Sequence, residues 1–176
     1  MTPPMEDDGV EVSVSEDVNL FLAHAIQLER DAARRFEDLM HSMETAGNRE
    51  VQGLFRRLGD FSRMHLGAAM ARGGFRDVPE RKPDDFQWPE GVTPEAAGWS
   101  GVDSTLDDLG ALRVALAGER SGVAYYDGIA RSSRDPEVTR MARSFAEEEA
   151  QHVAELERWV ATFARRRSDA AASAPR

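Results

Sequence analysis

Apolar residues recur every three or four positions in four long stretches of the chain, which is the period of an amphipathic helix. The stretches run over residues 15–46, 49–72, 104–132 and 135–166. The pattern predicts an all-α protein whose residues 15–166 form one four-helix domain. Residues 1–14 are acidic and contain prolines, so we expect a disordered segment there. Residues 167–176 are polar and rich in alanine, and we expect a flexible tail.

Residues that favour helix ends lie at the boundaries of these stretches. Ser15 is followed by two acidic residues, and Asp135 is followed by a proline, and both patterns are typical of a helix start. Ser104, with Asp107 three residues later, resembles a capping box. Gly73 and Gly74 are expected to end the second helix, since glycine readily adopts the left-handed conformation of a C-cap.

Residues 73–103 show no clear periodicity and separate the second helix from the third. They contain four prolines and two tryptophans, Trp88 and Trp99. Connections of this length are uncommon in compact domains unless they cross a bundle or serve a function. A structural crossover that packs on the helices is the simpler interpretation, and a lid over a substrate site is the alternative.

The second half of the chain repeats the first. AIQLER, which ends at residue 30, matches ALAGER, which ends at residue 120. The matched positions are Glu29 with Glu119, Asn48 with Asp135, and His65 with His152. The offset falls from 90 to 87 between the first pair and the others, which predicts three extra residues in the first hairpin turn. A duplicated helical hairpin closes into an antiparallel four-helix bundle with a long crossover between helices 2 and 3.

Composition narrows the classes of partner. The chain has 176 residues, a formal net charge of −10 and no cysteine. An acidic surface argues against nucleic acid or an anionic membrane as the partner. The absence of cysteine excludes disulfides, thiolate zinc sites and iron–sulfur clusters. No apolar run is long enough to span a bilayer, and the N-terminus lacks the features of a signal peptide. We therefore expect a cytoplasmic protein.

The candidate chemistry is a metal site. Glu149 and His152 are three residues apart, so both side chains lie on one face of a helix. Glu29 and Glu119 lie on apolar stripes, where a carboxylate is costly to bury unless it is paired or ligates a metal. The repeat brings the two histidines to the same layer. The predicted metal ligands are Glu29, His65, Glu119, Glu149 and His152. Oxygen and nitrogen donors of this kind suit iron, manganese or zinc.

Four motifs resemble those of the ferritin-like superfamily, and especially of rubrerythrin-like proteins. They are AIQLER, LFRRLGDFSRMH, LAGERSGVAYY and FAEEEAQH. The resemblance implies a non-haem di-iron site and chemistry with dioxygen, peroxide or ferrous iron. The predicted cofactor of this chain is one or two iron ions. It assigns Glu29 and Glu119 as terminal ligands, Glu149 as a bridging ligand, and one histidine to each metal. A homo-oligomer is compatible with this expectation.

The chain departs from the rubrerythrin pattern at three points. Ser62 stands where the family has its other bridging glutamate, and Gly122 stands where a further glutamate is common. The cysteine-ligated rubredoxin module is absent. We therefore expect oxidase, peroxidase or iron-handling activity weakened by Ser62. The alternatives are a non-catalytic bundle whose metal site has decayed and which serves as a binding or assembly module, and a mononuclear site without turnover. Glu147 and Glu148 are expected on a solvated face, and Tyr126 in the core near the site.

Overall fold

The structure, a computed structural model, describes residues 13–82, 85–89, 91–94 and 107–173. These residues form four helices: α1 (Val18–Thr45), α2 (Arg49–Gly73), α3 (Asp108–Ser132) and α4 (Pro136–Ala172). The described ranges contain no strand, so the predicted all-α class is confirmed. Most of the predicted disordered segment 1–14 lies outside the described residues, as do Ser104 and Trp99.

The helices pair as two antiparallel hairpins, α1 with α2 and α3 with α4. Gly59 allows α1 and α2 to approach closely, because a Cβ atom built there would lie 3.3 Å from the Cβ atom of Phe36. Helices α1 and α3 start at opposite ends of the bundle, so α2 and α3 run in the same direction. The chain must therefore travel the length of the bundle between them, a distance of about 37 Å for a helix of this size.

The helix caps agree with the sequence at the start of α4 and the end of α2 and differ at the starts of α3 and α1. Asp107, which the predicted capping box placed inside α3, is the N-cap of α3. Helix α1 also begins later than predicted. The side chain of Asp17, not that of Ser15, caps this helix and accepts a hydrogen bond of 2.7 Å from the backbone N–H of Leu20. Ser15 instead lies in a turn before the helix. Asp135 caps α4 as predicted, with Pro136 in the first helical position. Gly74 ends α2 with a φ of 68°.

The internal repeat accounts for the caps of both hairpins, because Asn48 caps α2 at the position that matches Asp135. The first hairpin does contain three extra residues, but the prediction that they lie in its turn is wrong. Both turns contain three residues, 46–48 and 133–135, whereas α1 has 28 residues and α3 has 25. The three residues therefore lengthen α1 by nearly one helical turn. Their backbone groups are hydrogen-bonded within the helix, and the connection to α2 keeps the same length as the connection between α3 and α4.

The hydrophobic core is divided into two clusters along the bundle axis. One cluster joins the start of α1 and α4 to the end of α2 and α3, and includes Phe21, Tyr126 and Phe145. The other joins the opposite helix ends and includes Phe55 and Leu112. A polar level lies between the two clusters, and its buried residues are Glu29, Ser62, His65, Glu119, Glu149 and His152. The polar level is therefore closed above and below by apolar side chains.

The described part of the crossover packs on the bundle. The backbone N–H of Gln87 donates a hydrogen bond of 2.8 Å to Nε2 of His24, whose Nδ1 lies 2.8 Å from the carbonyl oxygen of Leu20. Trp88 contacts His24 and Tyr125 with ring centroids 4.9 and 5.4 Å apart. These contacts favour the structural interpretation of the connection over the lid. They also occupy both nitrogens of His24, which is therefore a structural histidine.

Helix α4 continues six residues past the predicted end at residue 166 and reaches Ala172. Arg167 lies 2.9 Å from Asp107 and 2.7 Å from Asp108, so it ties α4 to the start of α3. The alanines that follow are strong helix formers. Together they extend the helix into the segment predicted as a tail. Among the described helices, none combines the length and the apolar character that crossing a bilayer would require.

Candidate metal centre

The five predicted ligand residues lie together between the two apolar clusters. Each helix contributes: Glu29 from α1, His65 from α2, Glu119 from α3, and Glu149 with His152 from α4. The three glutamates are 1–2% exposed and the two histidines are 7% exposed. Carboxylates in such a setting are costly to bury unless they are paired or bind a cation. The structure therefore brings the five predicted residues together, and their role as metal ligands stays a prediction.

The donor atoms form two groups that share Glu149. One group is Glu119, Glu149 and His152, and the other is Glu29, His65 and Glu149. In each group three donor atoms lie within 4.8 Å of one another. A carboxylate shared by two triads is the arrangement that a bridging ligand requires, since its two oxygens can serve two cations. The geometry is therefore compatible with two metal ions side by side.

The group around His152 is the closer of the two. Nδ1 of His152 lies 3.2 Å from Oε2 of Glu119 and 3.3 Å from Oε2 of Glu149. A single nitrogen faces two carboxylate oxygens from two helices. The three donors converge on one point, as the ligands of one cation do.

The group around His65 is more open. Nδ1 of His65 is buried and has no hydrogen-bond partner. It lies 3.8 Å from Oε1 of Glu29 and 3.8 Å from Oε1 of Glu149, which is too long for a hydrogen bond. A first-row metal ion with bonds of about 2.1 Å would fit between donors at this separation. The spacing of this nitrogen and the two carboxylates therefore suits a cation bound between them better than it suits hydrogen bonds among them.

Two positions break the symmetry of the repeat. Ser62, which is 2% exposed, matches Glu149, so the first hairpin offers no second bridging carboxylate. Phe61 matches Glu148. The expectation that Glu148 lies on a solvated face is wrong, because its Oε2 lies 3.3 Å from Nε2 of His65 and its side chain is only 34% exposed. Glu147 is exposed, as expected.

The charges of the cluster shift the pKa values of its members. Burial alone would raise the pKa of Glu149, but its interactions with Glu119, His152 and His65 hold that pKa well below its usual range. Burial alone would lower the pKa of His65, but the carboxylates of Glu149 and Glu148 raise it above its ordinary value. Without a metal, these interactions therefore stabilise the protonated form of His65 and the ionised form of Glu149 relative to the free side chains.

A groove of about 450 Å³ between α2 and α4 leads to the cluster. His65 and His152 line the groove, with ring centroids 5.5 Å apart. Phe61 and Met64 also line it and are 40% and 58% exposed, which is unusual for large apolar side chains. The groove gives small molecules and ions a route from solvent to the outer edges of both imidazoles. Nothing in the helical periodicity indicated this opening.

Tyr126 belongs to the core. It is fully buried, and its ring lies 6.2 Å from that of Phe21 and 5.1 Å from that of Phe145. Tyr125 packs beside it at 5.4 Å. This agrees with the expectation of core packing near the site. The aromatic cluster closes one side of the polar level and excludes water from it.

The chain is similar to one curated protein over part of its length. No protein-family model matches it. A curated relative, the encapsulin nanocompartment cargo protein EncB of Myxococcus xanthus, is 42% identical over 53 residues. That match covers 30% of this chain and 34% of the cargo protein, so the chain spans about a third of the curated relative that it matches.

A solved structure matches over nearly the whole chain. It is an uncharacterised conserved protein from Magnetospirillum magnetotacticum MS-1, with 34% sequence identity and a TM-score of 0.66. The match covers 86% of this chain and 95% of that one. Identity and coverage of this extent show common family membership and not only a shared fold. The chain therefore belongs to the family of the Magnetospirillum protein, within the ferritin-like superfamily.

Proposed function

We propose that the protein is a dimetal protein of the rubrerythrin-like type, which holds non-haem iron between its four helices and acts as an oxidase, peroxidase or iron-handling protein. Glu29 with His65, and Glu119 with His152, would each hold one ion, and Glu149 would bridge them. Manganese or zinc would suit the same donors. Iron in this position would supply one-electron chemistry toward dioxygen or peroxide.

One observation carries the proposal. The buried Nδ1 atom of His65 has no hydrogen-bond partner and lies 3.8 Å from carboxylates of two other helices. A buried polar atom without a partner is costly, and a cation between these three donors would remove the cost. The matched group at His152 supports a second ion of the same kind.

The protein's own residues would hold and shield the metal. The three buried carboxylates offset most of the positive charge of two divalent ions. The apolar clusters above and below exclude bulk water, which strengthens every electrostatic interaction at this level. The groove between α2 and α4 would admit ferrous ions or a small oxidant to the edges of the imidazoles.

Metal analysis tests the proposal directly. We expect the purified protein to bind close to two ferrous ions per chain under anaerobic conditions, and to oxidise them when oxygen or peroxide is added. Glu149→Gln should abolish most binding, because both groups lose their shared ligand. Glu147→Gln is the matched control, because it makes the same carboxylate-to-amide change at an exposed neighbouring position. A wild-type protein that binds no ferrous iron would favour the decayed-site alternative.

Similarity to part of an encapsulin cargo protein supports a second element of the proposal, that the bundle associates with an encapsulin shell in the cytoplasm. An iron-oxidising protein enclosed by the shell would release its product into a confined space. Co-expression with an encapsulin shell, followed by size-exclusion chromatography, tests this. Elution of the chain away from the shell would refute the association and leave the metal proposal intact.

A further inference from the structure

We propose that Glu148 is a positioning residue which orients His65 and supplies the charge that Ser62 does not. The inference rests on the proposed dimetal function and deepens it. It would make the two halves of the centre unequal, with the Glu29–His65 half dependent on a residue that the Glu119–His152 half does not have.

His65 has carboxylate neighbours near both of its ring nitrogens. Oε2 of Glu148 lies 3.3 Å from Nε2 of His65, on the side of the ring that faces the groove. Nδ1 of the same ring faces Glu29 and Glu149. A carboxylate at Nε2 favours the tautomer that carries its proton there, which leaves the lone pair of Nδ1 free for a cation. Glu148 thus directs the donor atom inward.

The side chain of Glu148 is itself held in place by a hydrogen bond. Its Oε1 accepts a hydrogen bond of 3.1 Å from the hydroxyl of Ser144, one helical turn earlier on α4. Its side chain is only partly exposed. Both carboxylate oxygens therefore have partners, and the side chain has less freedom to leave His65 than an ordinary surface glutamate would have.

The two hairpins differ at the position that Glu148 occupies. Position 61 matches Glu148, and the residue there is Phe61, whose ring lies 5.5 Å from that of His152. The outer side of His152 therefore faces an aromatic ring where His65 faces a carboxylate. Position 62 matches Glu149 and is a serine. The first hairpin thus lacks both carboxylates of the pair that α4 provides.

The charge balance explains why the pair matters. Glu29, Glu119 and Glu149 offer three negative charges, and two divalent ions carry four positive charges. Glu148 is the fourth carboxylate that contacts the cluster. With it the centre is formally neutral, although its charge acts through His65 and not by ligation. Removing that charge should therefore weaken the binding of the ion on the His65 side.

Titration with Co²⁺ in the absence of oxygen tests the inference, with visible absorption as a readout of the ligand field at each ion. Wild type should bind two ions. Glu148→Gln should weaken one of them by about 10- to 100-fold, the range found for partners of metal-bound histidines, and should alter the spectrum of that ion alone. Glu147→Gln, its exposed neighbour, should leave both unchanged. Thermal unfolding of each metal-free variant checks that the fold is retained.

Double variants locate the affected ion. In a His152→Ala background, where the His65 half remains, Glu148→Gln should still weaken binding. In a His65→Ala background it should have no further effect. An equal loss in both backgrounds, or a Glu148→Gln variant that behaves like Glu147→Gln, would overturn the inference and leave the proposed function standing. A wild type that binds no Co²⁺ would instead refute the proposed function, and this inference with it.

Discussion

Replacing Ser62 by glutamate should complete the second bridge of the metal centre. Ser62 is buried at the position that matches Glu149, on the face of α2 that carries His65. A glutamate there would face the same polar level as the shared carboxylate. It would give the centre four ligand carboxylates for two divalent ions. We therefore expect tighter binding of the second ion, together with a less stable metal-free protein.

The size of both effects follows from general electrostatics and packing. A carboxylate about 4 Å from a divalent ion is worth about 8 kcal/mol at an effective dielectric constant near 20, twice the value for two unit charges. Desolvating the new carboxylate consumes much of this, so we expect a net gain of about 1.4 kcal/mol, or about tenfold in affinity. Overfilling a packed site costs about 1–3 kcal/mol without metal. For a domain of this length that lowers the Tm by about 2–12 °C.

Anaerobic titration with ferrous iron and thermal unfolding with and without metal measure these effects. Ser62→Gln is the matched control, because it adds the same volume without the charge. The glutamate variant should bind the second ion more tightly than wild type and oxidise ferrous iron faster, whereas the glutamine variant should only lose stability. Equal iron stoichiometry and affinity in wild type and both variants would refute the reasoning that Ser62 is a missing ligand.

Three further predictions test other parts of the structure. His24→Ala should destabilise the protein by about 1–3 kcal/mol, since it leaves the N–H of Gln87 without its acceptor; His41→Ala, at an exposed site, should cost much less, and equal losses in urea unfolding would contradict the docking of the crossover. Asn48→Ala should cost about 1 kcal/mol by removing the cap of α2, and an unchanged urea midpoint would contradict this. In metal-free protein, the raised pKa of His65 gives stability that is present below its ordinary pKa, about 6.5, and is lost as the pH rises through its folded value. His65→Gln should therefore lower the free energy of unfolding more at acidic than at alkaline pH, and an equal loss at both would refute the pairing with Glu149 and Glu148.

The sequence predicted the fold because its helical periodicity, its caps and its repeat agree. Four apolar stripes require four helices to cover one another, and the match of Asn48 with Asp135 places the start of the second helix in each hairpin. Errors arose where several residues compete for one role. Asp17 took the cap from Ser15 because its carboxylate reaches the N–H of Leu20. The extra residues of the first hairpin extend α1, since a continued helix satisfies its backbone groups without reshaping the turn.

The candidate site was predictable as far as helical spacing reaches. Glu149 and His152 share a helix face, and the repeat supplies the matching positions of Glu29, His65 and Glu119. Glu148 could not be assigned in this way, because a residue beside the inward stripe contacts the cluster only when the crossing of α2 and α4 brings His65 against it. The groove depends on the same crossing. One signal was available: the repeat pairs Glu148 with Phe61, an unusual exchange at positions expected to be solvated.

In the proposed centre, Glu149 is a ligand shared by two metal ions. Anomalous diffraction from crystals soaked with Co²⁺ measures this directly, since it locates the metal independently of any activity. The structure predicts two anomalous peaks, one between Nδ1 of His65 and Glu29 and one between Nδ1 of His152 and Glu119, each within bonding distance of one oxygen of Glu149. An absence of peaks at this level of the bundle, or peaks confined to surface carboxylates, would contradict it.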